Sequence, residues 1–349
     1  MKKLIAISVL FALLAGFAFA EASVGGNLKI STDLIGGNED DQWAGPLKMW
    51  DAYTNISWSG DNAGGMMRLH AFGSTSRIDW TPDAFVFWWW RPIEQLRLQL
   101  GKNPDGDWGH AQITGWGFNA EAQGGICIDQ YRGIGNLAVV ARTAAWAPGF
   151  NSSGMTVSIN PVPGFNFNIG IPYAYNSTGE LGDVYGNSYL HLDYTFEDIG
   201  TLKLAAQLVN EAKPDIHAAF YVMAIDNIGL EVGFAYGLES EVIEVGAGFR
   251  FSDGGDLTFK LRAGAVLADN YGVIGVGILP SYRTEAFTFF FNAGFGMDLE
   301  KDDDNIDWFV NPYISVPANS GRFYLGFKLS DNEGGGINWS LPIGWNVYF

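Results

Sequence analysis

Cysteine, positive charge and histidine are all scarce in this sequence of 349 residues. Its single cysteine, Cys127, can neither form an intrachain disulfide nor build a cysteine-based zinc site. Lysine and arginine together number 20 against 38 aspartates and glutamates, which gives a formal net charge of −18. Nucleic-acid binders carry clustered basic charge. The sequence therefore excludes a disulfide framework and a cysteine zinc module, and nucleic acid is not an expected partner.

Motifs of catalysis and cofactor binding are also missing. None of the histidines has the His-x-x-x-His spacing of a zinc hydrolase, and neither a Gly-x-Ser-x-Gly elbow nor a Walker loop occurs. The carboxylates of residues 298–307 lack the glycine-hinged pattern of a calcium loop. We expect no enzymatic activity, no cofactor and no metal site. The four histidines are His70, His110, His191 and His217.

A long apolar run occurs only at the beginning of the chain. Lys2 and Lys3 precede the mostly apolar residues 4–17, and Ala18-Phe19-Ala20 follows as a small-x-small cleavage site. This pattern predicts a cleaved export signal over residues 1–20 and a mature domain over residues 21–349. No later run reaches the roughly 18 apolar residues of a membrane-spanning helix. Only helices and closed barrels satisfy all backbone hydrogen bonds in lipid, so an exported membrane protein of this kind would be a barrel.

Apolar and polar residues alternate through most of the mature sequence. Leu257, Phe259 and Leu261, for example, alternate with Thr258 and Lys260. Successive side chains of a strand point to opposite faces, so the alternation predicts strands with one apolar and one polar face. The 46 glycines argue against a helical bundle. The alternating segments are 24–34, 50–59, 96–102, 188–196, 201–209, 230–239, 243–251, 257–265 and 322–330.

Turn-forming residues separate these segments. Clusters of Gly, Asn, Asp and Ser mark short turns, and longer polar loops tend to alternate with them. Short turns at one end and longer loops at the other are typical of outer-membrane barrels. We therefore predict an all-β fold, a single antiparallel transmembrane β-barrel of about 16 strands within a range of about 14 to 18. The short turns are residues 59–62, 197–200, 226–229, 252–255 and 318–321, and the longer loops include 36–45, 173–185 and 297–307.

The C-terminal residues 337–349 are apolar at every odd position and end on Phe349. A closing strand must pair with the first strand, and residues 24–34 have the matching alternation. This ending resembles the terminal signal of outer-membrane barrel proteins, in which the insertion machinery recognises a final Phe. The resemblance implies that Trp345, Val347 and Phe349 close the barrel and form the insertion signal.

A soluble β-sandwich also alternates, with its apolar faces buried. Bulky aromatics near strand ends favour a barrel, because they resemble the aromatic girdles at the membrane interfaces. In Trp88-Trp89-Trp90, one parity would place Trp88 and Trp90 in the lumen, where they could stack on sugar rings, but a girdle is favoured. The aromatics assigned to apolar faces are Trp50, Trp58, Phe85, Phe87, Trp89, Trp339 and Trp345.

Residues 96–109, LRLQLGKNPDGDWG, resemble the bacterial general porins. In that family a strand ending in a Gly-basic pair leads into a loop that folds inside the barrel and narrows it. Here the pair is Gly101-Lys102, followed by Asn103, where the family often has Arg and Gln. The resemblance implies a constriction loop over residues 103–131, and also implies a homotrimer. An external loop with solvated charges remains the alternative.

An inserted loop would place acidic side chains against a basic wall. The resulting transverse field would select polar solutes by charge and dipole. The acidic residues of the loop are Asp105, Asp107, Glu121 and Asp129, and the inward wall residues are Arg68, His70, Arg97 and Gln99, with Lys260, Arg262 and Arg322 elsewhere.

The function predicted from the sequence is an outer-membrane porin, a water-filled channel for passive diffusion of small hydrophilic solutes and ions. Its partners would be outer-membrane lipid, the barrel-insertion machinery and these solutes. Removal of two lysines with the signal takes the net charge from −18 to −20, which favours cations. Two alternatives stay open, a non-conducting barrel acting as a surface adhesin or structural protein, and a substrate-specific channel with aromatic lumen residues.

Overall fold

The computed structural model describes residues 21–38, 41–45, 48–74, 77–101, 154–172, 188–209, 213–238, 241–269, 271–300, 306–331 and 336–349. Within these ranges the regular structure is β-strand, in one sheet of 21 strands whose pairings are all antiparallel. None of the described residues belongs to a helix long and apolar enough to cross a membrane. The all-β, antiparallel fold predicted from the alternation is confirmed.

The strands follow one another along the chain with few breaks. They are β1 (Glu21–Gly37), β2 (Gln42–Trp43), β3 (Lys48–Ser59), β4 (Ala63–Ser74), β5 (Arg77–Ile93), β6 (Leu96–Gly101), β7 (Gly154–Ile159), β8 (Phe165–Pro172), β9 (Tyr189–Phe196), β10 (Gly200–Val209), β11 (Lys213–Ile225), β12 (Ile228–Gly237), β13 (Ile243–Ser252), β14 (Leu257–Ala268), β15 (Tyr271–Ile278), β16 (Ser281–Arg283), β17 (Thr288–Asp298), β18 (Ile306–Ala318), β19 (Gly321–Gly326), β20 (Lys328–Asp331) and β21 (Ile337–Tyr348).

Sequential neighbours pair throughout the sheet, and the first strand also pairs with the last. One edge of β1 pairs with β3, starting with Glu21 opposite Ser59. Its other edge pairs with β21, starting with Asn27 opposite Tyr348. The predicted pairing of the C-terminal strand with residues 24–34 is therefore confirmed.

At three places in the sheet, two strands consecutive in the chain occupy one strand position. β2 and β3 both pair with β1, β15 and β16 both lie between β14 and β17, and β19 and β20 both lie between β18 and β21. Pro280 interrupts the second of these, where it has no amide hydrogen to donate. Each such pair therefore acts as one interrupted strand.

Connections at one end of the sheet are all short, whereas those at the other end vary widely in length. The end that carries Ser59 has short turns, such as the two-residue turn Asp226-Asn227 between β11 and β12. Asn227 has a φ of 65°, which Asn tolerates better than most residues. Connections at the opposite end range from residues 75–76 to residues 102–153, and both of these fall outside the described residues.

The two faces of the sheet have opposite polarity. On β12, Leu230, Val232 and Phe234 are exposed on one face, while Ala235 is buried on the other. We name the face with the exposed apolar side chains the outer face, and the opposite face the polar face. Polar side chains are buried on the polar face, because neighbouring side chains cover one another there. They include Ser31, Gln99, Thr156, Ser158, Asn168, His191, Lys260, Asn292, Asn311, Ser315, Ser330, Ser340 and Asn346.

Gly26 contacts Phe349 at the seam, by which we mean the pairing of β1 with β21. Its N–H donates to the Phe349 carbonyl oxygen at 2.8 Å, and the Phe349 N–H donates back at 3.2 Å. A Cβ atom on Gly26 would overlap both the Phe349 ring and the Tyr53 carbonyl oxygen. Glycine is thus required for this close approach.

We expect Gly26→Val to lower the free energy of unfolding by about 1–3 kcal/mol, the usual cost of overpacking. Reversible denaturant unfolding in lipid vesicles measures the change. Gly255→Ala is the control, because its Cβ would meet Asp253 Oδ1 at an ordinary 3.5 Å in an exposed turn. Equal stability of the two variants would contradict the tight seam.

Candidate functional site

A continuous strip of polar side chains crosses the polar face from β6 to β10. The register places Arg97 opposite Ser158, and Ser158 opposite Asn168. Asn168 lies opposite His191, one strand further on. Cross-strand neighbours lie about 5 Å apart, so this register brings distant parts of the sequence into contact. We call the strip the polar band; it comprises Arg97, Gln99, Thr156, Ser158, Asn166, Asn168, His191, Asp193 and Lys203.

Charged and polar groups are densely connected around Asp193. His191 Nε2 lies 3.0 Å from Asp193 Oδ1, and Lys203 Nζ lies 3.8 Å from the same oxygen. His191 itself is only 1% exposed, and its Nδ1 lies 3.3 Å from the Asn168 amide nitrogen. The Asn166 amide nitrogen donates to Asp193 Oδ2 at 3.5 Å. The carboxylate therefore compensates the basic groups within a largely buried polar cluster.

Trp89 lies on the polar face and contacts two arginines. The Arg97 guanidinium carbon is 4.9 Å from the centroid of the Trp89 ring, and that of Arg91 is 5.9 Å away. Both distances fall within cation–π range. Gly64 provides space for the ring, because a Cβ there would lie 2.8 Å from two ring carbons.

The expectation that Trp89 lies on the apolar, lipid-facing side is therefore wrong. In the run of three tryptophans, alternation alone does not indicate which face each ring occupies. Trp90, one residue further along the strand, is 43% exposed on the outer face. This places Trp90 on the side opposite to the lumen position considered for sugar stacking.

A cavity of about 740 Å³ opens at the short-turn end of the polar band. Arg91 and Glu94 lie on its β5–β6 side, and Asp193 and Lys203 lie on its β9–β10 side. The turn of residues 160–164 between β7 and β8 completes the lining. The cavity brings both signs of charge to one mouth of the polar face.

The predicted constriction residues are distributed as follows. Asp105, Asp107, Glu121 and Asp129 lie outside the described residues, so the inserted-loop prediction stays a prediction. Arg68 is in β4 opposite Asn55, and Arg262 is in β14 opposite Gly248. Arg97 belongs to the polar band, and Arg322 is exposed at the start of β19, opposite Asn346. These residues lie on separate strands, and only Arg97 belongs to the cluster described above.

Lys260 is buried at 5% exposure, and the register places it opposite Arg250 on β13. Two basic residues thus occupy adjacent positions of the polar face. The sequence indicates the parity of Lys260 but not its basic neighbour, because Arg250 comes from a different segment. Among the described residues, no three or more His, Cys, Asp or Glu side chains are grouped so as to hold a metal ion.

No protein-family model and no curated protein matches the chain. Solved structures do match its shape. OpdL of Pseudomonas aeruginosa has a TM-score of 0.57 at 8% identity, covering 94% of this chain and 99% of OpdL. OpdK of the same species, solved with vanillate, has a TM-score of 0.56 at 10% identity, covering 94% and 98%. A BenF-like porin from Pseudomonas fluorescens Pf-5 has a TM-score of 0.55 at 8% identity, covering 95% and 100%.

The chain has a porin-like β-barrel fold. In such a barrel the apolar outer face contacts lipid and the polar face lines the lumen. The polar band, Trp89 with Arg91 and Arg97, and the cavity belong to the polar face.

Proposed function

We propose that the chain forms a water-filled channel across the bacterial outer membrane, through which small hydrophilic solutes diffuse passively. The observation that carries the proposal is that large apolar side chains are exposed on one face of the sheet, while polar side chains are buried on the other. Exposed Leu, Val, Ile, Phe and Trp side chains on one face favour contact with lipid, while buried Asn, Ser, His and Lys side chains on the other favour water. Export by the signal over residues 1–20 and residence in the outer membrane are parts of the same proposal.

The wall is proposed to be a closed barrel of eighteen strands. The 21 strands of the described residues reduce to this number when β2–β3, β15–β16 and β19–β20 each count as one interrupted strand. The pairing of β1 with β21 supports closure, because it leaves neither terminal strand with an open edge. Eighteen strands would enclose an aqueous channel wide enough for small solutes.

We propose that the channel discriminates among hydrophilic solutes by charge. The polar face carries fixed groups of both signs, including Arg97, Asp193, Lys203 and Lys260. Loop 103–131, folded into the lumen, would add acidic side chains opposite this wall. A transverse field of this kind favours solutes whose charge or dipole aligns with it. The homotrimer and the recognition of Trp345, Val347 and Phe349 by insertion machinery remain predictions from the family resemblance.

Single-channel recording tests the proposal. Protein spanning residues 21–349, refolded and added to a planar lipid bilayer, should give discrete current steps that scale linearly with voltage. Correctly folded protein that gives no such steps would contradict a channel and favour the adhesin or structural alternative.

The reversal potential in a potassium chloride gradient measures ion selectivity. With a mature charge of −20 we expect cation preference, and chloride preference would show that the basic wall residues dominate.

A further inference from the structure

The cavity at the short-turn mouth is a preformed compartment between three hairpin ends. The Asn160 N–H donates to the Gln95 carbonyl oxygen at 2.8 Å, which joins the β7–β8 turn to the β5–β6 turn. The Thr195 N–H donates to the Gly164 carbonyl oxygen at 2.8 Å, which joins the β7–β8 turn to β9. Backbone hydrogen bonds therefore fix the lining in place. At about 740 Å³ the cavity lies within the usual size range of small-molecule sites.

The fixed charges of the cavity balance. Arg91 and Lys203 are basic, whereas Glu94 and Asp193 are acidic. A solute with one charge would meet attraction and repulsion of similar size. A solute with a cationic and an anionic group can satisfy both sets at once, which favours a zwitterion.

Buried acceptor oxygens in the lining lack donors. Asn160 Oδ1 and Asn166 Oδ1 are buried with no hydrogen-bond partner. Asp193 Oδ1 likewise makes no hydrogen bond, although the basic groups His191 Nε2 and Lys203 Nζ lie 3.0 Å and 3.8 Å from it. Buried polar atoms are normally satisfied, so these three oxygens indicate a missing donor. An ammonium group carries three N–H donors and no acceptor, which fits this requirement.

Donors for the anionic end lie in the same cavity. The Arg91 guanidinium can bind a carboxylate through two parallel N–H groups. Lys203 Nζ lies 3.8 Å from Asp193 Oδ1, and because an ammonium group carries three N–H donors, it can also donate to a bound carboxylate.

We propose that this cavity is a binding site for a small zwitterionic solute with an ammonium and a carboxylate group. This proposal rests on the proposed function in one respect, because it names the class of solute that the channel binds at its short-turn mouth. The ammonium group binds the acceptors Asn160, Asn166 and Asp193, with Glu94 adding negative charge. The carboxylate binds Arg91 and Lys203.

Titration calorimetry with folded protein in detergent micelles tests the site independently of conduction. The probes are γ-aminobutyrate, butyrate and butylamine, which share a carbon chain and differ in charged groups. We expect γ-aminobutyrate to bind at least about tenfold more tightly than either single-charge analogue, since it gains a second charge-assisted contact. Equal affinity for all three probes, or for glucose, would overturn the proposal.

Two variants assign the charged ends. Lys203→Met should lower the affinity for γ-aminobutyrate toward that for butylamine. Glu94→Gln should lower it toward that for butyrate. Glu94 is exposed in a turn, so its substitution leaves the fold intact even if Lys203→Met misfolds. Arg283→Met and Glu285→Gln are matched controls at an exposed strand end and turn away from the cavity, and neither should change affinity.

The two proposals fail in different ways. Charge-selective binding by a protein that gives no current steps would retain the site and overturn the channel. Current steps without charge-selective binding would retain the channel and overturn the site. Loss of affinity in both control variants would show a general charge effect instead of this cavity, and would overturn the site as well.

Discussion

Deletion of residues 337–349 is expected to abolish the folded state entirely. These residues form β21, which pairs with β1 on one side and with β19 and β20 on the other. Their loss would expose two rows of backbone N–H and C=O groups. In a lipid environment each unsatisfied backbone group costs several kcal/mol, so the sum exceeds the whole stability of a typical domain.

Heat-modifiable migration in a denaturing gel and circular dichroism in lipid vesicles measure this outcome. The full-length protein should show a folded band that shifts on boiling, and the truncated protein should show only the unfolded band. Phe349→Leu is the matched control, because it keeps the backbone pairing with Gly26 and an apolar end. A folded truncated protein would show that β1 and β19 do not need β21, and the closed barrel would then be wrong.

Val232→Arg is expected to cost about 2–4 kcal/mol of unfolding free energy in lipid vesicles, the value for an arginine at the lipid-facing midplane of a barrel. Val232 lies in the middle of β12 on the outer face and is 54% exposed. In a water-soluble protein a substitution at such an exposed position changes stability by only about 0.5 kcal/mol or less. The magnitude therefore distinguishes a lipid-facing surface from a water-facing one.

Leu257→Arg is the matched comparison for Val232→Arg. Leu257 is also on the outer face and 40% exposed, but it lies at the first residue of β14, beside a short turn. Depth decides the cost in lipid, so Leu257→Arg should lose about 0–1 kcal/mol. Similar small losses for both variants would contradict a membrane-spanning wall.

Sequence alternation predicted the architecture well, because strand parity is a local property. β21 shows this clearly: every second residue from Ile337 is apolar, and the structure pairs the strand with β1 as expected. Trp89 shows the limit of the method. Trp88, Trp89 and Trp90 are equally apolar, and the register of β4 with β5 shifts between Arg68 and His70, so parity cannot be extended along the strand.

The residues of the candidate site become neighbours through the register of paired strands, and this register could not be predicted from the sequence. Asn168 and His191 are 23 residues apart and become neighbours only when β8 pairs with β9. The alternation of residues 188–196 already places His191 and Asp193 on one face. It gives no sign that Lys203 of the next strand lies beside them, because hairpin register follows from the turn of residues 197–199. The cavity likewise requires three hairpin ends whose order in space follows only from the complete sheet.

The seam at Gly26 has a consequence for the connectivity of the chain. Glu21 begins β1, Phe349 directly follows the adjacent β21, and both lie at the same end of the sheet, beside the short turns. A brief peptide linker is therefore expected to connect Phe349 to Glu21 along this end of the sheet. New termini can then be opened at an exposed connection such as residues 226–227. We expect such a circular permutant to fold, because it retains every strand pairing of the sheet.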